Sequence, residues 1–304
     1  MVADVHCATV IIGLGKTGFS CVEYFERQGI AVTVVDNDPE PTLLSRLHAE
    51  YPHVPFVVFD QATDILYQAT SWVVSPGVSL QQLKNQFDNW QQKQLLSDVA
   101  LFCHQAKAPI VAITGSNGKT TVTTMMGQVI AACGHTVEVC GNIGEPVLNV
   151  LQRPVPDYYV LELSSFQLEM IDSLNARTAV VLNVEPDHMD RYASFIDYLQ
   201  TKQRIYRGVD QAVINLDQKQ AWRQVKFAGP TIGFTMQGVT KSGYGLCARG
   251  EEFFLMQGDR ELMAAQQMKL SGHHHWQNAL AVLAMTESLR LPMDAALTVL
   301  RNFD

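Results

Sequence analysis

The sequence predicts two consecutive α/β domains, at residues 1–97 and 98–304, the first built on a parallel sheet. Two glycine-containing turns each stand between an apolar strand and a helix. A length of 304 residues suits about two domains. Apolar residues make up 47% of the chain and charged residues 17%, so each domain can bury a sizeable core.

Composition limits the partners and the location of the chain. The net charge of −8 argues against nucleic-acid binding through a basic face. The sequence has no apolar run of about 18 residues, the length needed to span a bilayer. Residues 1–7 lack a secretion-signal pattern. Scattered cysteines favour buried thiols in a reducing compartment; they are Cys7, Cys21, Cys103, Cys133, Cys140 and Cys247. We expect a cytoplasmic monomer that binds neither nucleic acid nor membrane.

The first glycine turn belongs to a strand–helix–strand unit. Ala8–Ile12 is an apolar strand, Gly13–Gly18 reads Gly-Leu-Gly-Lys-Thr-Gly, and a helix follows at about Phe19–Gln28. A second strand, Ala31–Val35, ends at Asp36. This order is a dinucleotide fingerprint and predicts a Rossmann-like domain, with NAD as one ligand. Alternatively, the glycines only permit close packing of the helix on the strand.

A second turn of the same domain follows the strand Ser71–Val74. Its residues are Ser75, Pro76 and Gly77. In an open α/β sheet this turn lies at the carboxyl edge, where ligands bind, although an ordinary turn explains it equally well. Residues 81–97 are rich in Gln and Asn and indicate a helix or linker, so we place the domain boundary near Ser97.

The second glycine turn predicts a phosphate-loop ATPase-like α/β domain. An apolar strand at residues 110–113 leads into Thr-Gly-Ser-Asn-Gly-Lys-Thr, and a helix runs from Lys119 to Cys133. Lys119 would reach the terminal phosphates, and the Thr120 hydroxyl would bind Mg²⁺. Ile113 stands where the common pattern has its first glycine, so the variant is tighter. A plain helix start at an ordinary turn is the alternative.

Two acidic positions follow later strands of this domain. The strand Tyr158–Glu162 ends in a carboxylate, placed where phosphate-loop enzymes hold Mg²⁺ through an acid. An exposed or capping glutamate is the alternative. After the strand Thr178–Val184, residues 185–191 read Glu-Pro-Asp-His-Met-Asp-Arg. This segment is either a solvated surface loop or a metal site at the same sheet edge.

The predicted helix Phe195–Tyr206 carries a lysine within an apolar face. Phe195, Leu199, Lys202 and Tyr206 recur at helical spacing. The spacing favours Lys202 at the rim with its ammonium in water. The alternative is a lysine held inward for a purpose.

The last third of the chain is predicted to continue the sheet and to end in helices. Val213–Leu216 is a strand, and residues 221–269 indicate a small antiparallel excursion. Ser271–Asn278 opens a helix at Ala279–Arg290. Its three consecutive histidines suggest a metal tract by composition. A helix entry with one residue facing the nucleotide is the interpretation we favour.

Taken together, the motifs resemble the Mur ligase family over the chain from about Val10 onward. They are Gly13–Gly18, Ser75–Gly77, Thr114–Thr120, Gly141–Gly144, Leu161–Leu168, Asp187–Tyr192 and Lys269–Gly272. The fifth and sixth favour the branch that handles D-glutamate. The resemblance implies an ATP-dependent, ADP-forming ligase of peptidoglycan synthesis, which adds D-glutamate to UDP-N-acetylmuramoyl-L-alanine through an acyl-phosphate.

The resemblance also implies site residues. UDP-substrate contacts would come from Leu14, Gly15, Lys16, Thr17, Gly18, Asp36, Asn37, Ser75, Pro76, Gly77, Asn142, Ser164 and His188. ATP contacts would come from Gly115, Ser116, Asn117, Gly118, Lys119, Thr120, Thr121 and Asn278. Thr120 and Glu162 would bind one Mg²⁺. His188 and a carbamylated Lys202 would bind a second Mg²⁺. The catalytic set is Lys119, Glu162, His188 and Lys202.

Some positions depart from the family pattern. Asn37-Asp38 follows Asp36 where some relatives carry a basic residue, and His275 stands where asparagine is usual. The family has a third domain beyond the position of Asp304, which binds D-glutamate, so this chain by itself is expected to make no product. An NAD(P)-dependent dehydrogenase and a non-catalytic nucleotide-binding module are the alternative functions.

Overall fold

The computed structural model describes residues 8–238 and 241–304. The expectation of no secretion signal at residues 1–7 and the predicted burial of Cys7 lie outside the described residues. The chain divides into two compact units. The first unit is Met1–Gln105 with Pro146–Arg153, and the second is Ala106–Glu145 with Pro154–Asp304.

Strands and helices alternate along most of the described chain. The strands are β1 Thr9–Ile12, β2 Val32–Asp36, β3 Phe56–Val58, β4 Ser71–Val74, β5 Gln94–Leu96, β6 Ile110–Thr114, β7 Val137–Gly141, β8 Tyr158–Glu162, β9 Thr178–Val181, β10 Gln211–Asn215, β11 Thr231–Thr235, β12 Gly243–Arg249, β13 Glu252–Gln257 and β14 Arg260–Ala264. The helices are α1 Lys16–Arg27, α2 Leu44–Glu50, α3 Thr63–Gln68, α4 Leu80–Gln86, α5 Asp98–Gln105, α6 Lys119–Ala132, α7 Val147–Val150, α8 Ser165–Leu168, α9 Phe195–Gln203, α10 His273–Ser288 and α11 Met293–Asn302.

The first unit is a Rossmann-like sheet, as the sequence predicts. Its five strands lie in the order β3-β2-β1-β4-β5 and all pair in parallel. This is the order in which a doubly wound sheet begins. Strand β1 is buried along its whole length, as expected when helices cover both faces of a parallel sheet.

Strand β5 is the element of this sheet that the sequence does not predict. Residues 81–97 are expected to form a helix or linker, but Gln94–Leu96 pair with Ser71–Val73. Three residues carry no periodic signal, so the strand forms only because the edge of β4 offers unpaired backbone groups. The first unit continues through α5 to Gln105, downstream of the predicted boundary near Ser97.

The second unit contains a nine-stranded mixed sheet in the order β14-β13-β12-β11-β10-β9-β6-β8-β7. Neighbouring strands pair in parallel from β7 to β12, and in antiparallel fashion from β12 to β14. The antiparallel excursion predicted at residues 221–269 is therefore correct for β12–β14 and wrong for β11. Residues 216–230 supply the long connection that a parallel partner of β10 requires.

Helices α6 and α10 pack on the central strands and on each other to form the core of the second unit. Helix α10 begins at His273, earlier than predicted, and the residues from Ala279 to Met285 are completely buried. Such a helix is apolar all round because it is covered on every side. Within residues 8–238 and 241–304, we find no helix with the length and hydrophobicity needed to cross a membrane.

Two predicted elements of this unit are shorter in the structure. Strand β9 ends at Val181 rather than Val184, since Asn183 turns its side chain toward the loop after β6. Helix α9 ends at Gln203 and continues as a 3₁₀ turn, Arg204–Tyr206. This turn carries Tyr206 into the core, where its hydroxyl donates to the Val213 carbonyl.

Candidate functional site

The predicted phosphate loop connects the buried strand β6 directly to helix α6. Ile113 lies inside β6, so the turn is short, as the sequence indicates. Gly118 precedes the helix with a φ of 80°, a left-handed conformation that glycine adopts readily. Among the described residues no side chain caps α6. The N–H groups of Lys119, Thr120 and Thr121 therefore point toward a place where phosphate oxygens could bind.

Asn278 and Lys119 both lie against this loop. A Cβ added to Gly118 would come within 2.5 Å of the Asn278 Oδ1 atom, so α10 brings this amide directly beside the turn. The Lys119 Nζ atom donates to the Ser116 carbonyl oxygen at 2.9 Å. No carboxylate pairs with Lys119 in the part of the chain that the structure describes, which leaves its charge uncompensated for an anion.

Glu162, Thr120 and Asn142 converge at the ends of β8 and β7 and the start of α6. Glu162 is 1% exposed. One of its carboxylate oxygens accepts from Thr120 Oγ1 at 2.8 Å, and the other from Asn142 Nδ2 at 2.8 Å. Gly141 permits this approach, since a Cβ there would lie 2.2 Å from the Glu162 carbonyl oxygen.

The donors around Glu162 suit a hard divalent cation. No Lys, Arg or His forms an ion pair with this carboxylate within the described ranges, and its two partners are neutral. A buried carboxylate without a cation is costly. A carboxylate beside a hydroxyl at a phosphate loop is a donor set that Mg²⁺ prefers. The residues present therefore fit Mg²⁺ at the predicted position.

Asn183 is a site residue that sequence analysis missed. It lies just beyond β9 and is 8% exposed. Its Oδ1 atom accepts from the Asn117 backbone N–H at 2.8 Å, and its Nδ2 atom donates to the Asn117 carbonyl at 3.0 Å. Its own carbonyl accepts from the Ser116 N–H at 3.0 Å. Asn183 thereby holds the phosphate loop as a neighbouring strand would.

Tyr198 and Glu185 are two further partners of the loop that sequence analysis did not assign. The Ser116 Oγ atom donates to the Glu185 carbonyl at 3.0 Å and lies 3.1 Å from the Tyr198 hydroxyl. Asn117 Nδ2 donates to a Glu185 carboxylate oxygen at 3.1 Å. A polar residue inside the apolar run 178–184 could have revealed Asn183. No sequence signal points to Tyr198, because α9 meets the loop only in the folded chain.

Lys202 is held inward, so the prediction of a water-exposed ammonium is wrong. Its side chain is fully enclosed, with the Nζ atom 2.9 Å from the Gly115 carbonyl oxygen and 4.8 Å from the Tyr198 ring centre. Burial, with a smaller contribution from Lys119, lowers the pKa of Lys202 to about 7. The loop after β6 covers the face that helical spacing alone leaves open to solvent.

His188 is exposed to solvent, whereas Glu162 and Lys202 are buried. Its side chain is 48% exposed, and its ring packs at 4.7 Å on Phe166. Its backbone adopts a φ of 54°, and its N–H donates to the Asp187 carboxylate at 2.9 Å. No hydrogen bond or ion pair joins His188 to Lys202 among the described residues. The second Mg²⁺ proposed from these two side chains stays a prediction.

Ser164 has a structural role. Its hydroxyl accepts from the Gln167 N–H, and the Gln167 side chain accepts in return from the Ser164 N–H. This capping box starts helix α8. Contact of Ser164 with the substrate stays a prediction.

The three histidines at the start of α10 pack on neighbouring rings, His273 on Trp276 and His274 on His275. The ring centres of His273 and Trp276 are 5.0 Å apart, and those of His274 and His275 are 4.0 Å apart. Within the described residues, no group of three or more His, Cys, Asp or Glu side chains is arranged to hold a metal.

The glycine turn of the first unit is held by two side chains. Asp36 Oδ2 accepts from the Leu14 N–H at 2.6 Å, and the Ser75 Oγ atom donates to the Gly13 carbonyl at 3.0 Å. A Cβ on Gly18 would lie 1.8 Å from the Gly13 carbonyl oxygen, so this glycine is required for close packing of α1 on the turn. Gly15 precedes α1 without a side-chain cap.

A cavity of about 230 Å³ lies at the same edge of the first sheet. Its lining includes Gly13, Asp36 and Asn37, together with Val78 and Ser79 just after the predicted turn. Lys16 and Gly77 are exposed beside these elements, and Thr17, Ser75 and Pro76 are half-buried. The predicted UDP-sugar contacts of the first unit thus lie at the carboxyl edge of its strands. The other predicted contacts, Asn142, Ser164 and His188, belong to the second unit. Binding of the UDP-sugar by these residues stays a prediction.

Comparison with known protein families places both units. Residues 113–286 match the profile of the Mur ligase middle domain, and residues 7–95 match that of the Mur ligase MurD-like N-terminal domain. The chain belongs to the Mur ligase family. The resemblance seen in the sequence motifs and the predicted fold class are both confirmed.

Curated Mur ligases align along nearly the whole chain. The UDP-N-acetylmuramoylalanine–D-glutamate ligase of Coxiella burnetii (strain Dugway 5J108-111) is 41% identical over 295 residues, covering 97% of this chain. The ligase of the same name from Hahella chejuensis is 41% identical over 293 residues, or 96% of this chain. The alignments cover 66% and 65% of those proteins, so this Mur ligase chain spans about two thirds of their length.

Solved Mur ligase structures share the fold at low identity. UDP-N-acetylmuramate:L-alanyl-gamma-D-glutamyl-meso-diaminopimelate ligase from Neisseria meningitides is 19% identical with a TM-score of 0.64, covering 97% of this chain and 98% of that one. UDP-N-acetylmuramate-alanine ligase MurC from Thermotoga maritima is 19% identical with a TM-score of 0.57, covering 97% and 68%.

Proposed function

We propose that this Mur ligase chain carries the UDP-substrate and ATP sites of a ligase that joins D-glutamate to UDP-N-acetylmuramoyl-L-alanine. Mur ligases use ATP. The observation that carries the proposal is the pairing of Thr120 in the phosphate loop with the buried Glu162 carboxylate, at 2.8 Å. The 41% identity to ligases of that name supports the choice of substrates.

The electrostatics of the reaction explain why the second unit needs these residues. The substrate's carboxylate, with a reference pKa near 4, is already ionised at neutral pH. Its obstacle is repulsion from ATP, about 4 kcal/mol for each pair of unit charges 4 Å apart at an effective dielectric near 20. Lys119 and the N–H groups at the start of α6 offset this repulsion by holding phosphate oxygens. When bound, Mg²⁺ supplies further neutralising charge, and Thr120 and Glu162 would hold it.

Lys202 is proposed to act as a carbamate near the same loop. Because burial lowers its pKa to about 7, a substantial fraction of the amine is neutral at neutral pH. The neutral nitrogen can add to the carbon of CO₂, form an N–C bond and release a proton to solvent. The resulting anion is an oxygen ligand suited to Mg²⁺. His188 would contribute to the same ion.

The first unit is proposed to bind the UDP part of the substrate. Helix α1 begins after the exposed Gly15, and no side chain caps it among the described residues. The first N–H groups of the helix are therefore available to bind a diphosphate. Asp36 and Asn37 line the adjoining cavity and would contact the uracil. An NAD-dependent dehydrogenase leaves the second phosphate loop without a role. The cytoplasmic location and monomeric state belong to this proposal and stay predictions.

Substitution of Lys119 tests the proposal. We expect Lys119→Ala to weaken MgATP binding by at least about tenfold, because it removes the cation at the terminal phosphates. Binding of UDP-N-acetylmuramoyl-L-alanine, measured in parallel by calorimetry, should not change. Lys107→Ala, in the exposed segment before β6, is the matched control. Equal MgATP affinity in Lys119→Ala and the unsubstituted chain would contradict the proposal.

A further inference from the structure

The second unit has a cavity of about 430 Å³ that none of the predicted site residues lines. One wall is formed by the end of α9 and the 3₁₀ turn after it, and the other by the segment before β11. The lining residues are Gln200, Gln203, Arg204, Tyr206, Arg207, Gly208, Val209, Gln224, Val225, Lys226 and Ala228. A concave site of this size is in the range that holds a small molecule.

This cavity lies at the edge of the sheet opposite the phosphate loop. Its walls lead into the first residues of β10 and β11, whereas the phosphate loop follows the last residue of β6. Strands β6, β9, β10 and β11 pair in parallel, so their beginnings and ends fall on opposite edges. The cavity is therefore separate from the candidate ATP site.

The lining is basic in a chain whose net charge is −8. Arg204, Arg207 and Lys226 face the cavity, and the lining contains no Asp or Glu. Within the described residues, neither Arg207 nor Lys226 has an ion-pair partner. Arg204 donates through Nη1 to the Glu169 carbonyl oxygen. Three glutamines add neutral hydrogen-bond donors and acceptors.

Arg204 is partly buried and lies within electrostatic reach of Arg207. Burial, followed by the nearby Arg207, lowers the pKa of its guanidinium, and the attraction of Asp172 and Glu169 only partly offsets this. The two guanidinium groups repel one another, and a bound anion that contacts both would relieve the repulsion. Planar guanidinium groups bind carboxylate and phosphate oxygens in pairs.

The walls of the cavity are fixed by contacts that do not involve the basic side chains. Ser173 Oγ donates to the Arg207 carbonyl at 3.0 Å. Gly208 has a φ of 71° and leaves no room for a Cβ against Ser173. The rings of Tyr206 and Phe227 pack at 5.2 Å and join the two walls. A binding surface held in this way loses little entropy when a ligand binds.

We propose that this cavity is an additional ligand site, which binds a small multivalent oxyanion such as a phosphorylated or polycarboxylate metabolite. The three cations supply the charge, and the glutamines supply hydrogen bonds to neutral parts of the ligand. The proposal stands independently of the ligase function, since none of its residues belongs to the candidate nucleotide sites.

Calorimetry with pyrophosphate tests the site in Lys119→Ala, where the phosphate loop is weakened. We expect saturable pyrophosphate binding in which one site weakens at least about tenfold when Arg207→Gln and Lys226→Gln are added, since two charge-assisted contacts are lost. Any binding at the Gly13–Gly18 turn should not change. Both substituted side chains are exposed, so the fold should survive. Arg223→Gln, an exposed arginine of the same segment that does not line the cavity, is the matched control.

Several outcomes would overturn the proposal. Unchanged affinity in the Arg207→Gln/Lys226→Gln protein would do so, as would equal weakening by Arg223→Gln, which would indicate diffuse attraction only. Amide chemical shifts of the unsubstituted chain give a second measurement. Pyrophosphate should shift residues 203–209 and 224–228, and shifts confined to residues 13–18, to residues 115–121 or to both would contradict the site. Citrate in place of pyrophosphate then shows whether carboxylates or phosphates bind better.

Discussion

At the scale of single residues, burial decides the chemistry of two ionisable side chains. Lys202 and Asp98 are each 2% exposed, and burial shifts both pKa values toward the neutral form. Lys202 lies in the second unit beside the phosphate loop, and Asp98 begins α5 in the first unit. The neutral amine of Lys202 would react with CO₂, whereas the neutral carboxyl group of Asp98 affects only the stability of the fold.

The carbamate of Lys202 can be tested through rescue of activity. In a full-length ligase that contains this chain, Lys202→Ala should lose activity, because the proposed oxygen ligands are removed. Excess bicarbonate or a short-chain carboxylate should restore part of it by filling the space with an anion. The measurement is ADP release with both substrates present. If Lys202→Ala has wild-type-like activity before any anion is added, the carbamate proposal is wrong. Lys219→Ala, at an exposed lysine, is the control.

Asp98 should make the first unit less stable as pH rises. Burial raises the pKa of its carboxyl group from 3.8 to about 6 in the folded chain. The folded state then binds the proton more tightly than the unfolded state, so this contribution to stability is present below about pH 4 and is lost as pH rises through 6. One Asp98 carboxylate oxygen has no hydrogen-bond partner among residues 8–238 and 241–304, which agrees with the unfavourable ionised form.

Asp98→Asn should therefore raise the free energy of unfolding, and by more at pH 8 than at pH 5. We expect the difference between the two pH values to be about 1 kcal/mol, since one pKa unit corresponds to about 1.4 kcal/mol. Urea unfolding at both pH values measures it. Asp64→Asn, in the exposed first turn of α3, is the control and should show no such difference. A gain that is equal at both pH values would rule out ionisation as its cause.

At the scale of elements, the loop after β6 is shaped by its neighbours as much as by its own glycines. Gly115 and Gly118 allow the turn, but Asn183 beyond β9, Tyr198 on α9 and Asn278 on α10 determine where its backbone lies. Parallel strands deliver all these segments to one edge of the sheet, which is where open α/β sheets bind ligands.

Asn183→Ala should loosen the phosphate loop. It removes both side-chain hydrogen bonds to the Asn117 backbone, which are partly buried and worth about 0.5–1.5 kcal/mol each. We expect MgATP affinity to fall by about tenfold while UDP-substrate binding stays unchanged. Calorimetry measures both, and Asn302→Ala on α11 is the control. If MgATP binds equally well, Asn183 does not position the loop.

At the scale of the whole molecule, each compact unit has its own sheet and its own glycine turn, which we propose binds a phosphorylated ligand. The first turn is tied to Asp36 and Ser75, and the second to Asn183 and Glu185. Because the two sets of contacts share no residue, substitutions at one turn should leave binding at the other turn unchanged.

Asp36→Ala tests this separation from the side of the first unit. The change removes the acceptor of the Leu14 and Asp38 N–H groups and should weaken binding of UDP-N-acetylmuramoyl-L-alanine by about tenfold or more. MgATP affinity should stay as in the unsubstituted chain. Asp38→Ala, which alters an exposed turn two residues later, is the control. Tight binding of NADH that Asp36→Ala abolishes would instead favour a dinucleotide site.

Sequence alone determined the elements that carry strong local signals. The glycine turns, the apolar strands before them and the helices after them follow from backbone sterics and periodicity within a few residues. The family motifs identified the candidate residues around Lys119 and Glu162. Strand β5, the parallel pairing of β11 and the true end of β9 could not be predicted, because backbone pairing with a distant strand decides them.

Only the tertiary structure decided what surrounds each side chain. Helical spacing places Lys202 on an apolar face and predicts that its ammonium group reaches water. In the structure the loop after β6 covers that face, so the amine is enclosed. The sequence pattern places Asn183 in an apolar strand, and only the folded structure shows that its side chain hydrogen-bonds to the Asn117 backbone. The basic cavity arises in the same way, from segments that meet across the beginnings of β10 and β11. Burial and contact depend on residues far apart in the chain, which local patterns do not record.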